Sequence, residues 1–156
     1  MTAPAAAASL RIRLHPDPVL REPCAPVTGD ATALARAMLD AMYAAPGRGL
    51  AGPQVGESLR LFVMDASWKE GLPDPRVFVN PAVVWVSDET DVAEEGCLSI
   101  PDTPRRVRRP VACRIAFDGA GGLRREAVLD GFAARCAQHE IDHLDGVLIL
   151  DHEAQP

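Results

Sequence analysis

The stretch Gln138-His139-Glu140-Ile141-Asp142-His143-Leu144-Asp145-Gly146 sets two imidazoles four residues apart with a carboxylate directly after the first. On an α-helix that spacing stacks both rings on one face, one turn apart, where they can hold a single metal ion. Glu140 stands beside the first ring, where it can take a proton from a water on that metal as general base. Two surface histidines on an amphipathic helix would show the same spacing, so the rest of the chain has to decide. A catalytic metal needs a third protein ligand. The longer protease form of the motif would place a histidine where this chain has Ile149, and His152 is out of register. The third ligand therefore comes from elsewhere, and Cys97 in Glu94-Glu95-Gly96-Cys97-Leu98-Ser99 is the candidate. A thiolate and two neutral imidazoles leave one coordination position open for water, as a catalytic site requires.

Working outward, Gly146 is placed to cap a helix of about residues 132–144, and the apolar residues 147–150 read as a short strand. Thr28 or Asp30 can cap an earlier helix whose apolar stripe runs Leu34, Met38 and Met42, ended by Pro46-Gly47. Residues 59–64, 77–79 and 83–86 read as strands, with Asn80-Pro81 as a turn. Residues 111–117 and 123–129 read as a hairpin about Asp118-Gly119-Ala120-Gly121-Gly122. Strands flanking one central helix predict an α+β fold, with mixed or antiparallel sheets packed around the helix that carries the HExxH motif. The segment Trp68-Lys69-Glu70-Gly71-Leu72-Pro73-Asp74-Pro75 reads as a connector.

At 156 residues the chain has the size of one domain. We read residues 1–9 as a disordered tail, since no basic residue precedes their alanine run, and residues 10–153 as a single catalytic domain. A formal net charge of −6 argues against a general nucleic-acid or membrane-surface binder, and no stretch is long and apolar enough to span a bilayer. The run Arg105-Arg106-Val107-Arg108-Arg109 reads as a strand with a solvated basic face rather than a nucleic-acid patch. Cys24, Cys97, Cys113 and Cys136 form no closely paired motif, which points to a reducing, cytoplasmic compartment. Cys24 and Cys113 read as small buried side chains. Cys136, one turn before Glu140, is placed to line the site without coordinating anything.

Three separated segments together resemble the signatures of the peptide deformylase family. Gly47-Arg48-Gly49-Leu50-Ala51-Gly52-Pro53-Gln54 is similar to the first, Glu95-Gly96-Cys97-Leu98-Ser99 to the second and His139-Glu140-Ile141-Asp142-His143 to the third. The resemblance runs from His15-Pro16-Asp17-Pro18-Val19-Leu20-Arg21 to Asp145-Gly146. It implies hydrolysis of the N-formyl group from the formyl-methionine that begins a nascent peptide, with release of formate. The ion it implies in vivo is Fe2+, with Zn2+, Ni2+ or Co2+ able to occupy the site. It assigns the Gln54 side-chain amide and the Leu98 backbone N–H to the oxyanion, and backbone at Arg48, Gly49 and Gly96 to pairing with an extended substrate. An arginine is frequent in the family where Arg109 stands. A transient contact with the ribosome is also implied, although the acidic chain would have to make it locally, and it ends at Pro156 without the basic terminal helix associated with docking.

Three residues depart from the family pattern: Arg48 replaces a small aliphatic residue, Gly52 an alanine and Arg135 an apolar residue. Arg135, His139 and His143 follow i, i+4, i+8, so Arg135 projects along the ligand face of the helix. Arg48 and Arg135 are expected in the pocket for the substrate's first side chain, where their heads would favour a polar or acidic group unless they snorkel over their alkyl stems. Two alternatives follow: a deformylase-like paralogue acting on another N-formyl or N-acyl compound, and a metal-bound binding module without turnover.

Overall fold

The computed structural model describes residues 10–156, so the tail expected at residues 1–9 lies outside the described residues. Among the described residues two α-helices, α1 (Thr32–Ala44) and α2 (Gly131–Leu144), stand before and after a run of seven strands. These are β1 (Gly49–Ala51), β2 (Leu61–Met64), β3 (Arg76–Val86), β4 (Thr90–Cys97), β5 (Ile100–Pro110), β6 (Ala112–Asp118) and β7 (Arg124–Asp130). They form a five-stranded sheet of order β1-β2-β3-β6-β7 and a two-stranded sheet of β4 and β5. Every pairing between these strands is antiparallel.

The α+β reading holds, and α2 is the element the rest is built around. Ala134, Ala137, Ile141 and Leu144 pack into one apolar cluster with Phe62, Phe78, Cys113, Ile115 and Leu129 from the larger sheet. Alternation puts Cys113, Ile115 and Phe117 of β6 on that side, where Phe78 stacks 4.6 Å from Phe62 and 4.5 Å from Phe117. A second cluster joins Met38 and Met42 of α1 to Leu50, Leu61, Val63 and Val79, so the predicted methionine stripe is core. Asp30, rather than Thr28, serves the start of α1: its Oδ1 accepts from the Thr32 backbone N–H at 2.8 Å and from the Thr32 hydroxyl. Gly146 ends α2 at φ 73°, where its N–H reaches the carbonyl of His143. Gly131, at φ 55°, turns the chain from β7 directly into α2.

Several predicted elements need correction. Residues 147–150 are not a strand but lead into a 3-10 turn at Ile149–Asp151, because the Leu148 backbone N–H donates to the Asp151 carboxylate at 2.8 Å. That local bond competes with any strand pairing. The strands read at 77–79 and 83–86 are one strand, β3, which passes through Asn80-Pro81 instead of turning there. Asn80 takes φ 49°, and its side chain accepts from Val27 N–H and donates to the Val27 carbonyl. The pairing of β3 with β6 shifts between Val79 and Ala82 to accommodate this. The short β1 and the acidic β4 were not expected at all. The hairpin of β6 and β7 and the strand placement of the basic run agree with the sequence: Arg106 and Arg108 are exposed and Val107 is buried.

Candidate metal centre

Helix α2 presents Arg135, His139 and His143 along one face, with the two imidazoles nearly buried and their centroids 5.0 Å apart. Strand β4 supplies Cys97 at its end, where its pairing with β5 shifts register between Glu95 and Cys97. The Cys97 Sγ lies 3.5 Å from the Nε2 of His143, and one donor atom from each of Cys97, His139 and His143 falls within 4.8 Å of the others. The three sequence candidates for ligands thus meet in space.

These residues fit a divalent ion. His139 points its Nδ1 at Glu95 Oε1, 2.9 Å away, which leaves Nε2 for coordination. Among the described residues, the buried side-chain polar atoms without a hydrogen-bond partner are His143 Nδ1 and Glu140 Oε1. The local field asks for positive charge as well. Burial alone would depress the pKa of His139, but Glu140, Cys97 and Glu95 outweigh it and push it up to about 10. Surroundings that favour a proton on that ring also favour a cation beside it. His143, buried and next to His139 and Arg109, is held well below the usual histidine range and stays neutral.

Glu140 is buried, and burial pushes its pKa up to about 7 despite the opposing effect of His139. It comes so near Gly49 of β1 that a Cβ there would lie 2.5 Å from its Oε2 and 2.8 Å from the Cys136 Sγ. Only glycine leaves that room. Cys136 is buried, its thiol pushed well above its ordinary pKa by burial, and it lines the cavity without joining the ligand set. Cys113 is buried as expected, whereas Cys24 is half-buried. Gly52 has a packing reason too: a Cβ there would stand 2.7 Å from the backbone oxygens of both Glu57 and Leu59.

Gln54 lies in the 3-10 turn that follows β1. Its Oε1 accepts from Ala51 N–H at 2.9 Å, while its Nε2 donates to Ser99 Oγ at 3.1 Å and approaches Cys97 Sγ at 3.7 Å. Leu98 sits between Cys97 and Ser99 at the tip of the β4–β5 hairpin. A cavity of about 480 Å³ opens over the site, and Gln54, Leu98, Gly96 and Glu140 are among its walls.

The two arginines also line this cavity, but their heads are already engaged. Arg48 donates to the Ala66 carbonyl at 2.6 Å and forks onto both Glu70 oxygens at 2.8 and 3.0 Å, while lying 5.0 Å from the centre of the Phe132 ring. Trp68 of the same loop donates its indole N–H to the Gly47 carbonyl at 2.9 Å. The segment read as a connector therefore braces the glycine-rich turn. Arg135 donates to Glu95 Oε2 at 2.7 Å and Asp91 Oδ1 at 2.6 Å, and to the backbone carbonyls of Val107 and Asp91.

Glu95 is the site residue that the sequence reading missed. It accepts from His139, from Arg135 and, at 2.6 and 2.9 Å, from two nitrogens of Arg109. Burial alone would raise its pKa, but its bonds to His139 and Arg109 hold it well below the usual carboxylate range. Its signal was its place two residues before Cys97 in an extended segment, together with the need of a ligand imidazole for an acceptor on its far nitrogen. Arg109 has a structural role: buried, it also donates to Asp142, which in turn pairs with His152.

The model of the family described as polypeptide deformylase matches residues 9–156. A peptide deformylase of Rhodopseudomonas palustris strain BisB5 is 50% identical over 146 residues, covering 90% of this chain and 83% of that protein. One from Brucella suis biovar 1 is 48% identical over 141 residues, covering 88% and 80% respectively. Among solved structures, the peptide deformylase of Thermotoga maritima superposes with a TM-score of 0.88 at 42% identity, over 94% of this chain and 98% of that one.

Proposed function

The chain belongs to the peptide deformylase family and, as a metallo-hydrolase, removes the N-formyl group from nascent peptides; we propose which of its residues do so. Cys97, His139 and His143 hold the ion, Glu140 carries the proton, and Gln54 and Leu98 serve the oxyanion. The observation that carries this reading is the convergence of the three donor atoms within 4.8 Å beside a carboxylate oxygen that has no protein partner. When bound there, a divalent ion acidifies water and polarises the formyl carbonyl. Glu140, with a pKa raised to about 7, is suited to accept a proton from the attacking water and return it to the departing amine. Gln54, fixed by Ala51 and Ser99, holds its amide N–H near Cys97, and with the Leu98 backbone N–H it meets the negative charge that develops on the formyl oxygen.

On the substrate side, backbone at Arg48, Gly49 and Gly96 pairs with an extended peptide, and the stems of Arg48 and Arg135 form the wall for the first side chain. The ion in vivo is Fe2+, with Zn2+, Ni2+ or Co2+ able to replace it, since a thiolate with two imidazoles accommodates all four. The compartment is cytoplasmic. No helix among the described residues is long and apolar enough to cross a membrane. Contact with the ribosome is transient and local, given a net charge of −6.

Two variants test the division of roles. Glu140→Gln should keep its metal while formate release from a formyl-Met peptide falls by at least ~10²-fold, the scale of general acid–base catalysis. Cys97→Ser should lose metal affinity and turnover together. Loss of metal in Glu140→Gln, or full occupancy and parental turnover in Cys97→Ser, would overturn the assignment.

A further inference from the structure

Arg135 shares a helical face with both histidines, yet its guanidinium turns to the β4–β5 hairpin rather than to the space a substrate would fill. One terminal nitrogen donates to Glu95 Oε2 at 2.7 Å and the Val107 carbonyl at 2.9 Å. The other donates to Asp91 Oδ1 at 2.6 Å and the Asp91 carbonyl at 3.1 Å. A guanidinium has two hydrogens on each terminal nitrogen, so these four acceptors use them all. What remains for a ligand is the single Nε–H.

The acceptors are not scattered. Asp91 and Glu95 are four residues apart on β4, and Val107 faces Ala93 across the hairpin, so one side chain of α2 grips β4 at two points and β5 at a third. Cys97 follows Glu95 by two residues on the same strand, and His139 stands one turn beyond Arg135 on the same helix. Glu95 completes the frame. Its Oε1 accepts from His139 and Arg109, and its Oε2 from Arg109 and Arg135, so a carboxylate with about four lone-pair sites is saturated. Arg109 would keep this carboxylate charged without Arg135. It also ties Glu95 to α2 through Asp142, but it reaches neither Asp91 nor the Val107 carbonyl, which Arg135 fastens to the helix.

We propose that Arg135 is a positioning residue of the metal centre: by clamping Asp91, Glu95 and Val107 against α2 it sets the separation of Cys97 from the two histidines and the orientation of the His139 ring. The proposal rests on the reading of Cys97, His139 and His143 as ligands. It assigns the guanidinium to the protein's own carboxylates and leaves only the alkyl stem to the substrate.

The test uses the full chain stripped of metal and titrated with Co2+, as parent, Arg135→Met, Asp91→Ala and Cys97→Ser. Affinity is read by competition with a chelator, and ligand geometry by the thiolate-to-cobalt absorption in the near ultraviolet. Arg135→Met keeps an unbranched stem in the cavity wall but has no fork. It should bind Co2+ about 10-fold more weakly, with a shifted and weaker thiolate band, the scale seen when an outer partner of a ligand is lost. Its KM for a formyl-Met peptide should stay within about twofold while kcat falls, since binding to the wall is retained. Asp91→Ala removes one anchor at an exposed carboxylate, where the fold is not at stake, and should move affinity and band the same way by a smaller amount. Parental affinity and spectrum in Asp91→Ala and in whatever folded Arg135→Met is obtained, with the band abolished in Cys97→Ser, would overturn the positioning role and leave the ligand set standing. A thiolate band that survives in Cys97→Ser would overturn the ligand assignment itself.

Discussion

Gly49 shows how much of the chemistry hangs on single side chains, here on the lack of one. A methyl group at this position would stand 2.5 Å from the Glu140 carboxylate and 2.8 Å from the Cys136 sulfur. Neither can retreat far, since both are buried. Gly49→Ala should therefore displace Glu140 while leaving Cys97, His139 and His143 in place: metal content unchanged, kcat down by roughly 10²-fold, as for a catalytic group misplaced by about an ångström. Parental turnover in the alanine variant would show that Glu140 need not stand where it does. Charge at Arg48 and Arg135 is a second matter decided residue by residue. The sequence placed both at the pocket but could not say where their heads go, because the answer depends on Glu70, Asp91 and Glu95, which come from other elements. With both cations matched by the protein's own carboxylates, a substrate carboxylate gains little there. The expected outcome is a higher kcat/KM for formyl-Met than for formyl-Glu peptides, and a preference for formyl-Glu would mean that the arginines do leave their partners.

At the scale of elements, legibility in the sequence follows what each one is packed against. Helices α1 and α2 and the β6–β7 hairpin bury apolar side chains at regular spacing, and their patterns were readable. Strand β4 was not, because Asp91 and Glu95 meet arginines instead of an apolar core, so it shows no hydrophobic alternation. The candidate metal ligands were legible for a different reason: their chemistry is carried by residue type and spacing, whereas the support of Glu95 by three other residues is a tertiary fact. The loop after β2 belongs with β4 in this respect. Tyr43, near the end of α1, donates to Asp65 at 2.5 Å and meets Trp68 edge-on at 5.3 Å, tying α1 to the loop that holds Arg48 and Gly47. Burial, then the bond to Asp65, pushes its pKa up to about 12. The phenol is thus favoured in the folded state over the unfolded chain, where tyrosine titrates at about 10. This contribution to stability is complete below pH about 10 and is lost as pH rises through about 12. Tyr43 is the single tyrosine, so tyrosinate absorbance reads it alone. Its midpoint should lie near 12 in the native protein and fall toward 10 in Asp65→Asn; an ordinary midpoint in the folded parent would rule out the burial and the bond.

For the molecule as a whole, the candidate metal centre is a junction between parts that are distant in sequence. Cys97 and His143 are 46 residues apart, and they belong respectively to the two-stranded sheet and to the helix packed on the five-stranded sheet. Two of the junction's ties are ionic, through Arg109 and Arg135 onto Glu95, and an ion held by Cys97, His139 and His143 adds a third that exists only when the fold brings them together. The unfolded chain keeps the thiol and the imidazoles but not their arrangement, so the ion binds the native state preferentially and stabilises it by mass action. At a free metal concentration 100 times Kd this amounts to about 2.7 kcal/mol. For a chain of this size such a gain raises Tm by roughly 5–10 °C. Metal-free protein melted alone and with graded Zn2+ should show that rise, climbing with the logarithm of metal concentration once the site is saturated. Cys97→Ser should show little of it, while Gly49→Ala, which disturbs the proton carrier and not the ligands, should show it in full. A Tm that stays constant while Zn2+ binds stoichiometrically would mean that the junction is already as tight without the ion, and that the ion contributes to catalysis alone.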